Sequence, residues 1–541
     1  MRSAAPPEHR WETALLPFVN YYSPSFFDII HLMDKQHHPT VLIILDGWGH
    51  REGKQHNAIA EANTPFFDEL WHKFPHSLLN ASEEHVGLTK GTIGNSEIGH
   101  MTMGAGKVID TDLVRISKSV QNKEFHTNPA FEGLFEHVKK YNSAVHILGM
   151  VSPAGVHSHQ EHLHAFLEAA KAAGIKKVII HAFTDGRDTP PKSASDYLEN
   201  LEKVIGDLDI GYIATASGRY YAMDRDKNWH RTQKAEEAIF EGKGKTSTGK
   251  KASEALRELY KTGEIDELLE PVVFLDDTGK ARAVENNDAI FFFNFRSDRP
   301  KQLSKLIEGR AKKQNLYFVT LTEYHPALES RVAFPPLKIE TTLAAEISQA
   351  GLKQAHIAET EKYPHVSYFF NGGRQEPHEN ESQILIDSRK DIKTHDEAPE
   401  MRAKEIVDKA IERLEAGDDF ILMNFANADM VGHTANKPAI ITAVEIVDRE
   451  LKRVVEKIIA MDGVAIVTAD HGNAETNIDP DTGEKHTAHT VNQVPFILAS
   501  NLTSYSLHPK SSPGTLADIA PTILKLMNLP QPKSMTGESL I

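Results

Sequence analysis

Short apolar runs alternate with amphipathic stretches along most of the chain, and each run ends in a polar turn. Thr40–Leu45 is a β-branched and aliphatic segment that stops at Asp46-Gly47-Trp48-Gly49. Apolar runs of this length, bounded by turn residues, predict parallel strands that are buried on both faces. Comparable runs that precede polar turns are Ala144–Leu148, Lys177–Ala182, Ile210–Ala214, Ala289–Phe293 and Gly463–Thr468.

Segments with helical periodicity separate these predicted strands, among them Glu161–Ala173, Ala403–Glu415 and Ile441–Met461. Strands that alternate with helices predict an α/β fold with mostly parallel sheets. In such sheets, ligands bind beyond the carboxyl ends of the strands. The polar turns after the strands are therefore the places where we expect a functional site.

Composition narrows the classes of function. The 541 residues include 29 His and no Cys, and the formal net charge is −16. Without Cys, disulfides, Cys-type zinc sites, iron–sulfur clusters and thiol catalysis are excluded. The acidic balance disfavours a large nucleic-acid-binding face, and the apolar runs are far shorter than the ~20 residues of a spanning helix. Residues 1–38 lack the features of a secretory signal. We interpret them as an N-terminal extension and expect a cytoplasmic protein.

Several residues with metal-ligand chemistry follow predicted strands or share a helix face. Asp429 and His433 are four residues apart, which places them on one face of a helix. Such a pair is more often a surface contact than a metal site. Asp470 and His471 come just after an apolar run, where Asp470 could instead cap the next turn. The loop His486-Thr487-Ala488-His489 offers a further imidazole, and the spacing alone does not choose between its two histidines.

Ser96 lies in the glycine-punctuated segment Gly91–His100, at the start of a predicted helix. A helix N-terminus suits a phosphoryl group attached to that serine, although Asn95 or Ser96 could simply be the N-cap. Together with Asp46, the Asp and His residues form an O/N ligand set that suits Mn²⁺, Mg²⁺ or Zn²⁺, with Mn²⁺ favoured. Two adjacent metals can activate a serine hydroxyl for displacement at phosphorus.

Nine strings in the chain resemble those of the cofactor-independent phosphoglycerate mutase family, which belongs to the alkaline-phosphatase-like group. They extend in order from about residue 41 toward the end of the chain: LDGWG, GNSEIGHMTMGAG, HAFTDGRDTPP, SGRYYAMDRD, FNFRSDR, AETEKYPHVSYFFNGG, NFANADMVGHT, VTADHGN and HTAHT. The resemblance implies interconversion of 3-phosphoglycerate and 2-phosphoglycerate through a phosphoserine, without added 2,3-bisphosphoglycerate.

The resemblance also implies roles for individual residues. Ser96 would be the nucleophile, Asp188 a proton acceptor and donor, and Lys362 a stabiliser of charge on the transferred group. One metal would be held by Asp429, His433 and His489, and the other by Asp46, Ser96, Asp470 and His471. The metals would be two divalent ions, with Mn²⁺ expected and Mg²⁺, Zn²⁺ or Co²⁺ as alternatives. The substrate would be bound by Lys362 and by His157, Asp188, Arg187, Arg219, Arg225, Arg296 and Arg299.

The residue chemistry agrees with these roles, because planar guanidinium groups suit the phosphate and carboxylate of phosphoglycerate. Each arginine taken alone could be a surface charge. Because the predicted ligands come from both ends of the chain, we expect a discontinuous domain, 39–110 and 341–541, with a second α/β domain inserted at 111–340. A substrate between two domains implies closure, which would keep water from the phosphoserine.

The main alternative is a metal-dependent phosphatase or phosphodiesterase of the same superfamily, since the predicted metal ligands would be shared. A non-enzymatic protein that binds anions or metals is a second alternative. The expected partner is a small-molecule substrate, without nucleic acid or membrane, and we expect a monomer.

Overall fold

The computed structural model describes residues 38–479, 482–502, 505–508 and 513–541, and these form two eight-stranded sheets with helices packed against them. The predicted α/β class is confirmed. The predicted N-terminal extension lies outside the described residues, apart from its last residue. No helix in the described part of the chain is long and apolar enough to cross a membrane.

The strands, in chain order, are β1 (Thr40–Leu45), β2 (His76–Asn80), β3 (Val145–Met150), β4 (Val178–Thr184), β5 (Ile213–Gly218), β6 (Lys245–Ser247), β7 (Val272–Phe274), β8 (Ala289–Phe292), β9 (Tyr317–Thr322), β10 (Arg331–Phe334), β11 (Gln354–Glu359), β12 (Glu381–Ile386), β13 (Phe420–Phe425), β14 (Val464–Thr468), β15 (Val494–Ser500) and β16 (Gly514–Thr515).

The α-helices, in chain order, are α1 (Ala58–Glu61), α2 (Pro65–Lys73), α3 (Ser96–Ala105), α4 (Asp112–Gln121), α5 (Pro129–Tyr141), α6 (Gln160–Ala172), α7 (Ala194–Leu208), α8 (Arg219–Ala222), α9 (Trp229–Glu241), α10 (Ala252–Lys261), α11 (Lys301–Gln314), α12 (Leu343–Gln349), α13 (Ala403–Glu415), α14 (Asn427–Gly432), α15 (Lys437–Ala460) and α16 (Ile519–Leu526).

The first sheet has the order β12-β11-β13-β1-β14-β15-β2-β16 and takes its strands from both ends of the described chain. Its centre is parallel, with β1 paired to β13 on one side and to β14 on the other. Strand β15 runs antiparallel to both β14 and β2. All six residues of β1 are buried, because helices cover both faces of a central parallel strand.

The second sheet has the order β10-β9-β8-β3-β4-β5-β7-β6, and all its strands lie between those of the first sheet in the sequence. Alternate residues of a strand point to opposite faces, so neighbouring phenylalanines of β8 belong to different cores. Phe291 stacks on Phe166 on one face, and Phe292 meets Phe183 edge-to-face on the other. Apolar side chains on both faces explain the continuous apolar run of Ala289–Phe293.

The predicted elements agree with the structure, with shifts at their ends. The run Ile210–Ala214 was expected to form a strand, but β5 begins three residues later. Asp209 and Gly211 have φ values of +49° and +108°, so the chain turns there before it extends. Helix α15 begins before the predicted Ile441, because Pro438 is well accommodated in a first helical turn.

Candidate functional site

Three aspartates meet at one edge of the first sheet. Asp46 follows β1, Asp470 comes two residues after β14, and Asp429 lies on α14, which starts just after β13. Because these three strands are parallel neighbours, their carboxyl ends lie side by side. At most 2% of each aspartate is exposed. Three carboxylates buried together require cations or hydrogen-bond donors to balance them.

Two glycines allow the backbone segments around these aspartates to approach closely. Gly47 has φ of +73°, and a Cβ atom there would lie 2.7 Å from Asp429 Cα. A Cβ atom on Gly99 of α3 would lie 2.8 Å from the backbone oxygen of Asp470. Any larger residue at either position would push the site apart, which explains these glycines in the LDGWG and GNSEIGH strings.

Ser96 is the first residue of α3, and its hydroxyl faces the aspartates. The preceding Asn95 is the N-cap, because its side-chain oxygen accepts a hydrogen bond from the Ile98 amide at 2.9 Å. The Ser96 hydroxyl is therefore not used for capping. Its Oγ lies 2.9 Å from His471 Nε2 and 3.4 Å from Asp46 Oδ1. Asn95 and Ser96 thus have separate roles, which the sequence alone left open.

Lys362 reaches into the centre of this cluster from the turn after β11. Its Nζ donates to Asp46 Oδ1 at 2.6 Å, to Asp429 Oδ2 at 2.6 Å and to Ser96 Oγ at 2.8 Å. Burial alone would lower the pKa of Lys362, but Asp429 and Asp46 outweigh it and raise that pKa well above its usual range. Burial would likewise raise the pKa of Asp429, yet the Lys362 charge holds it well below normal.

Two histidines face Asp429 through the same ring nitrogen. His433 Nε2 lies 3.3 Å and His489 Nε2 3.2 Å from Asp429 Oδ1, and the two Nε2 atoms are 3.2 Å apart. Each Nδ1 is hydrogen-bonded to a backbone carbonyl, of Thr487 for His433 and of Gly94 for His489. A carbonyl only accepts, so Nδ1 carries a proton in both rings, and Nε2 is the ring nitrogen that faces Asp429 and could bind a metal.

His489, and not His486, is the histidine of the HTAHT string that contacts Asp429 among the hydrogen bonds and ion pairs of the described residues. Its ring also stacks on His471, with 3.8 Å between the ring centroids. His471 in turn lies 3.5 Å from Asp470 Oδ2. His471 therefore connects the two predicted ligand sets.

The arrangement fits divalent cations. Potential ligand atoms converge within 4.8 Å of one another in two groups: Asp429, His471 and His489, and Asp46, His100 and Asp470. The ammonium of Lys362 balances only one of the three negative charges of Asp46, Asp429 and Asp470. Asp470 Oδ2 is buried and lies 3.3 Å from His100 Nδ1 and 3.5 Å from His471 Nε2. Carboxylate and imidazole ligands with an excess of negative charge suit Mn²⁺, Mg²⁺ or Zn²⁺.

A second group of charged side chains lies at the carboxyl edge of the second sheet. Arg219, which follows β5, is buried, and its Nη1 donates to Asp185 Oδ1 and Asp188 Oδ2 at 2.6 Å each. Its Nη2 lies 3.0 Å from His157 Nε2. Burial, and then the nearby Arg219 charge, lower the pKa of His157 to about 4. His157 is therefore neutral near pH 7 and accepts the Arg219 hydrogen bond.

Asp298 connects the more exposed arginines of this group. It accepts hydrogen bonds or ion pairs from Arg225 at 2.8 Å and from Arg296 at 3.1 Å. Arg299 donates to the Met223 carbonyl at 3.2 Å. Arg187 is the most exposed and lies 3.7 Å from Glu267.

The structure therefore brings the predicted residues together in two groups rather than one. The acidic group contains Asp46, Ser96, Lys362, Asp429, His433, Asp470, His471 and His489, and the arginine group contains His157, Arg187, Asp188, Arg219, Arg225, Arg296 and Arg299. No hydrogen bond or ion pair between described residues joins the two groups.

Sequence reasoning missed several residues that hold these groups. Asn424 donates to Asp46 Oδ2 at 2.8 Å and lies 3.1 Å from His100 Nε2, while His100 Nδ1 donates to the Ser96 carbonyl. Asp185 and Asp298 orient the arginines. All four lie within or at the edge of the family strings, which was the only signal available for them in the sequence.

Comparison with known proteins gives matches to a family model, to relatives and to a solved structure. Residues 116–326 match a family model described as the BPG-independent PGAM N-terminus. The 2,3-bisphosphoglycerate-independent phosphoglycerate mutase of Clostridium botulinum (strain ATCC 19397 / Type A) is 47% identical over 512 residues, covering 93% of this chain and 99% of the relative. The mutase 2 of Methanosarcina barkeri is 45% identical and covers 94% of this chain and 99% of its own length.

A crystal structure of Leishmania mexicana phosphoglycerate mutase, determined at low cobalt concentration, covers 94% of this chain and 98% of its own. It is 28% identical in sequence and superimposes with a TM-score of 0.56.

These relatives define the class first: the chain is a phosphoglycerate mutase, an isomerase built on two α/β sheets. The chain belongs to the 2,3-bisphosphoglycerate-independent phosphoglycerate mutase family, because relatives above 40% identity match it over nearly their whole length. It interconverts 3-phosphoglycerate and 2-phosphoglycerate in glycolysis and gluconeogenesis. The resemblance inferred from the motifs is confirmed. The alternative of a metal-dependent phosphatase or phosphodiesterase is not confirmed.

Proposed function

We propose that the mutase reaction proceeds through a phosphoserine at Ser96. The observation that carries this proposal is the position of its hydroxyl, which is buried between Lys362 and His471 at the N-terminus of α3. In the forward direction, Ser96 Oγ, having lost its proton, would form a bond to the phosphorus of 3-phosphoglycerate while the bond from phosphorus to the glycerate O3 breaks and O3 takes up a proton from Asp188. The O2 hydroxyl of glycerate would then attack the phosphoserine, and Ser96 Oγ would leave.

Lys362 would stabilise the transferred group and the serine oxygen. Its ammonium already donates to Ser96 Oγ, and Asp429 and Asp46 raise its pKa, which favours the charged form. The backbone amides at the start of α3 add partial positive charge next to the same oxygen. A fixed donor in a buried site stabilises developing negative charge without reorganisation during the reaction.

The acidic group would hold two divalent metals, with Mn²⁺ favoured, in the ligand sets implied by the resemblance. Asp429, His433 and His489 would bind one ion, and Asp46, Ser96, Asp470 and His471 the other. When bound, such ions lower the pKa of a ligating hydroxyl and neutralise phosphoryl charge. The excess negative charge of the cluster supports a divalent-metal centre here. The groups of ligand atoms that converge in the structure differ from these sets, because His471 groups with Asp429 and His489, and His100 groups with Asp46 and Asp470.

The arginine group would bind phosphoglycerate. Arg187, Arg225, Arg296 and Arg299 offer guanidinium groups for its phosphate and carboxylate, while Arg219 holds Asp188 in place. Asp188 would accept the proton of the attacking glycerate hydroxyl and return one to the departing glycerate oxygen. Neutral His157 would bind a glycerate hydroxyl.

We further propose domain boundaries at 39–110 with 341–541 and at 111–340. Strands β3 to β10 form the second sheet, and the strands before and after them form the first sheet. This division along the chain supports these limits. Because the arginine and acidic groups do not touch, turnover would require the two domains to close over the substrate. We expect a cytoplasmic monomer, in keeping with a glycolytic reaction.

Acid quenching tests the phosphoserine directly. The Mn²⁺-loaded enzyme is mixed with 3-phosphoglycerate labelled at phosphorus, quenched in acid and digested, and the label should reside in the peptide that contains Ser96. Ser96→Ala should remain unlabelled and lose at least about 10⁴-fold in mutase rate.

Ser367→Ala is the matched control. Ser367 is also buried near the site, but its hydroxyl donates to the Tyr363 carbonyl, so labelling and rate should stay close to those of the wild type. Full mutase activity in Ser96→Ala would contradict the phosphoserine route. Release of inorganic phosphate as the main product would contradict the proposed water exclusion.

A further inference from the structure

Glu475 is a fully buried carboxylate beside the acidic group, and the mechanism above does not use it. Its Oε2 accepts hydrogen bonds from the backbone amides of Gly49 at 3.1 Å and Asn473 at 2.8 Å. Its Oε1 accepts from the Thr490 hydroxyl and from Asn492 Nδ2, the latter at 2.8 Å. All four donors are neutral. Glu475 is thus held by hydrogen bonds that use both of its oxygens.

The backbone leaves space for this carboxylate. A Cβ atom on Gly49 would lie 2.3 Å from Glu475 Cδ, and one on Gly472 would lie 2.5 Å from Glu475 Oε1. Neither position could carry a side chain while Glu475 remained in place. The second glycine of the LDGWG string and the glycine after His471 are therefore explained by Glu475.

The four donors come from three loops, and each loop carries predicted metal ligands. Gly49 lies in the turn after β1 with Asp46, Asn473 in the turn after β14 with Asp470 and His471, and Thr490 and Asn492 in the loop with His489. One side chain therefore ties the turn after β1 to two parts of the connection between β14 and β15, one beside His471 and one beside His489.

The hydrogen bonds around Glu475 also reach Asp429, the third aspartate of the acidic group. Asn473, whose amide donates to Glu475, uses its Nδ2 to donate to Asp429 Oδ1 at 2.8 Å. Arg51 Nε also donates to the Glu475 carbonyl at 2.9 Å, which fixes the backbone of Glu475 to the turn after β1. A shift of Glu475 would reach residues of both predicted metal sites.

We infer that Glu475 is a positioning residue that sets the separation of the metal-ligating loops and thereby the affinity of the site for divalent metal. This inference rests on the proposed metal centre. The physical reason is that four donors converge on the two carboxylate oxygens of Glu475. Only a group with an acceptor at both oxygen positions satisfies all four. A glutamine amide in its place presents an NH₂ group to two of the four donors. Those two donors must then move away or remain without an acceptor.

The test compares Mn²⁺ binding by wild type, Glu475→Gln and Glu381→Gln, measured by competition with a fluorescent chelator. Glu381 is the matched control, because its buried carboxylate also accepts from side-chain amides and a backbone amide, those of Asn371, Gln383 and His378, but contacts no predicted ligand. We expect Glu475→Gln to bind Mn²⁺ about 10–100-fold more weakly, and Glu381→Gln to bind as the wild type does.

Far-UV circular dichroism and the Tm of the metal-free proteins report whether the fold is intact, and the kcat of Glu475→Gln should recover at saturating Mn²⁺. Wild-type affinity in Glu475→Gln, or an equal loss in Glu381→Gln, would overturn the inference. A wild-type enzyme that binds no Mn²⁺ would contradict the proposed metal centre itself, and so fail in a different way.

A milder pair of variants decides the question if Glu475→Gln does not fold. Thr490→Val removes one donor to Glu475 while keeping the shape of the side chain, and Thr490→Ser keeps the hydroxyl. We expect a severalfold loss of Mn²⁺ affinity in Thr490→Val and near wild-type affinity in Thr490→Ser. Equal affinities in the two variants would overturn the inference.

Discussion

The acidic group and the arginine group lie at equivalent places in two similar sheets, yet they differ in charge and in burial. Both follow the carboxyl ends of parallel strands. The side chains of Asp46, Asp470 and His471 are fully buried, whereas those of Arg187 and Arg296 are 59% and 48% exposed. The same architecture therefore supports two sites with different physical properties.

This difference corresponds to two tasks. A buried cluster with fixed hydrogen bonds keeps its geometry through every turnover, which suits metals and a nucleophile that must be preorganised. Exposed guanidinium groups exchange water for substrate and release it again at little cost. Arg219 and His157 are the exceptions in this group, because both are buried, and Arg219 is also held by two carboxylates. Variants in the two groups should therefore affect different kinetic constants.

The largest expected effect is in the acidic group, at Lys362. Lys362→Met removes the donor shared by Asp46, Asp429 and Ser96, so kcat should fall about 10³-fold with little change in KM for 3-phosphoglycerate. Steady-state kinetics at saturating Mn²⁺ measure both constants. Lys525→Met, which removes a hydrogen bond to the Ile541 carbonyl, serves as the control and should leave both unchanged. A kcat above a tenth of wild type would contradict the role of the ammonium.

An intermediate effect separates the two kinds of arginine within one group. Arg219→Lys loses the planar fork that joins Asp185, Asp188 and His157, so kcat/KM should fall about 100-fold. Arg187→Lys keeps a mobile positive charge at an exposed position, so its loss should be below about tenfold and mostly in KM. Equal losses in the two variants would show that burial does not distinguish them.

The smallest expected effect is on the pH dependence of stability. The pKa of His157 is lowered to about 4 from the ordinary 6.5, so between these values the unfolded chain binds more protons at this residue. Its contribution to stability is complete above about pH 6.5 and is lost as the pH falls toward 4. His157→Gln should therefore lose less stability than wild type on acidification, by about 1 kcal/mol.

Urea unfolding at pH 7.5 and pH 4.5 measures this difference. His162 is a useful control, because burial lowers its pKa to about 3 and it lies on α6, where it contacts Ser117. His162→Gln should flatten the same pH dependence but leave the mutase rate near wild type, whereas His157→Gln should reduce the rate. The same acid sensitivity in His157→Gln and wild type would contradict the neutral state of His157.

Much of the fold was predictable because its strands are short apolar runs whose signal is local. Strand β1 was predicted with its observed bounds, and β8 within one residue. Strand β5 was misplaced by three residues, because the left-handed conformations of Asp209 and Gly211 end one turn and delay the strand. Hydrophobic pattern alone does not report such a turn.

The candidate site was predictable in its residue types and less so in its connections. Ser96, Asp429 and His489 were identified through the family strings, and the structure places them around one cluster. The roles of His100, Asn424 and Asp298 went unrecognised, since each has a contact that spans a long stretch of sequence: His100 with Asn424, Asn424 with Asp46, and Asp298 with Arg225. A side chain that positions another has no spacing of its own by which it could be recognised.

The sequence by itself determined the α/β class, the chemistry of the ligands and, through its strings, the family. These depend on local periodicity and on which side chains are present. The tertiary structure alone decided that Lys362 lies between Asp46 and Asp429, that Arg219 is clamped by two carboxylates, and that Glu475 joins three loops. The contacts of Lys362 with Asp46, of Arg219 with Asp185 and of Glu475 with Gly49 span 316, 34 and 426 residues. The reason is physical, because the order of strands in a sheet, and not distance along the chain, determines which turns become neighbours.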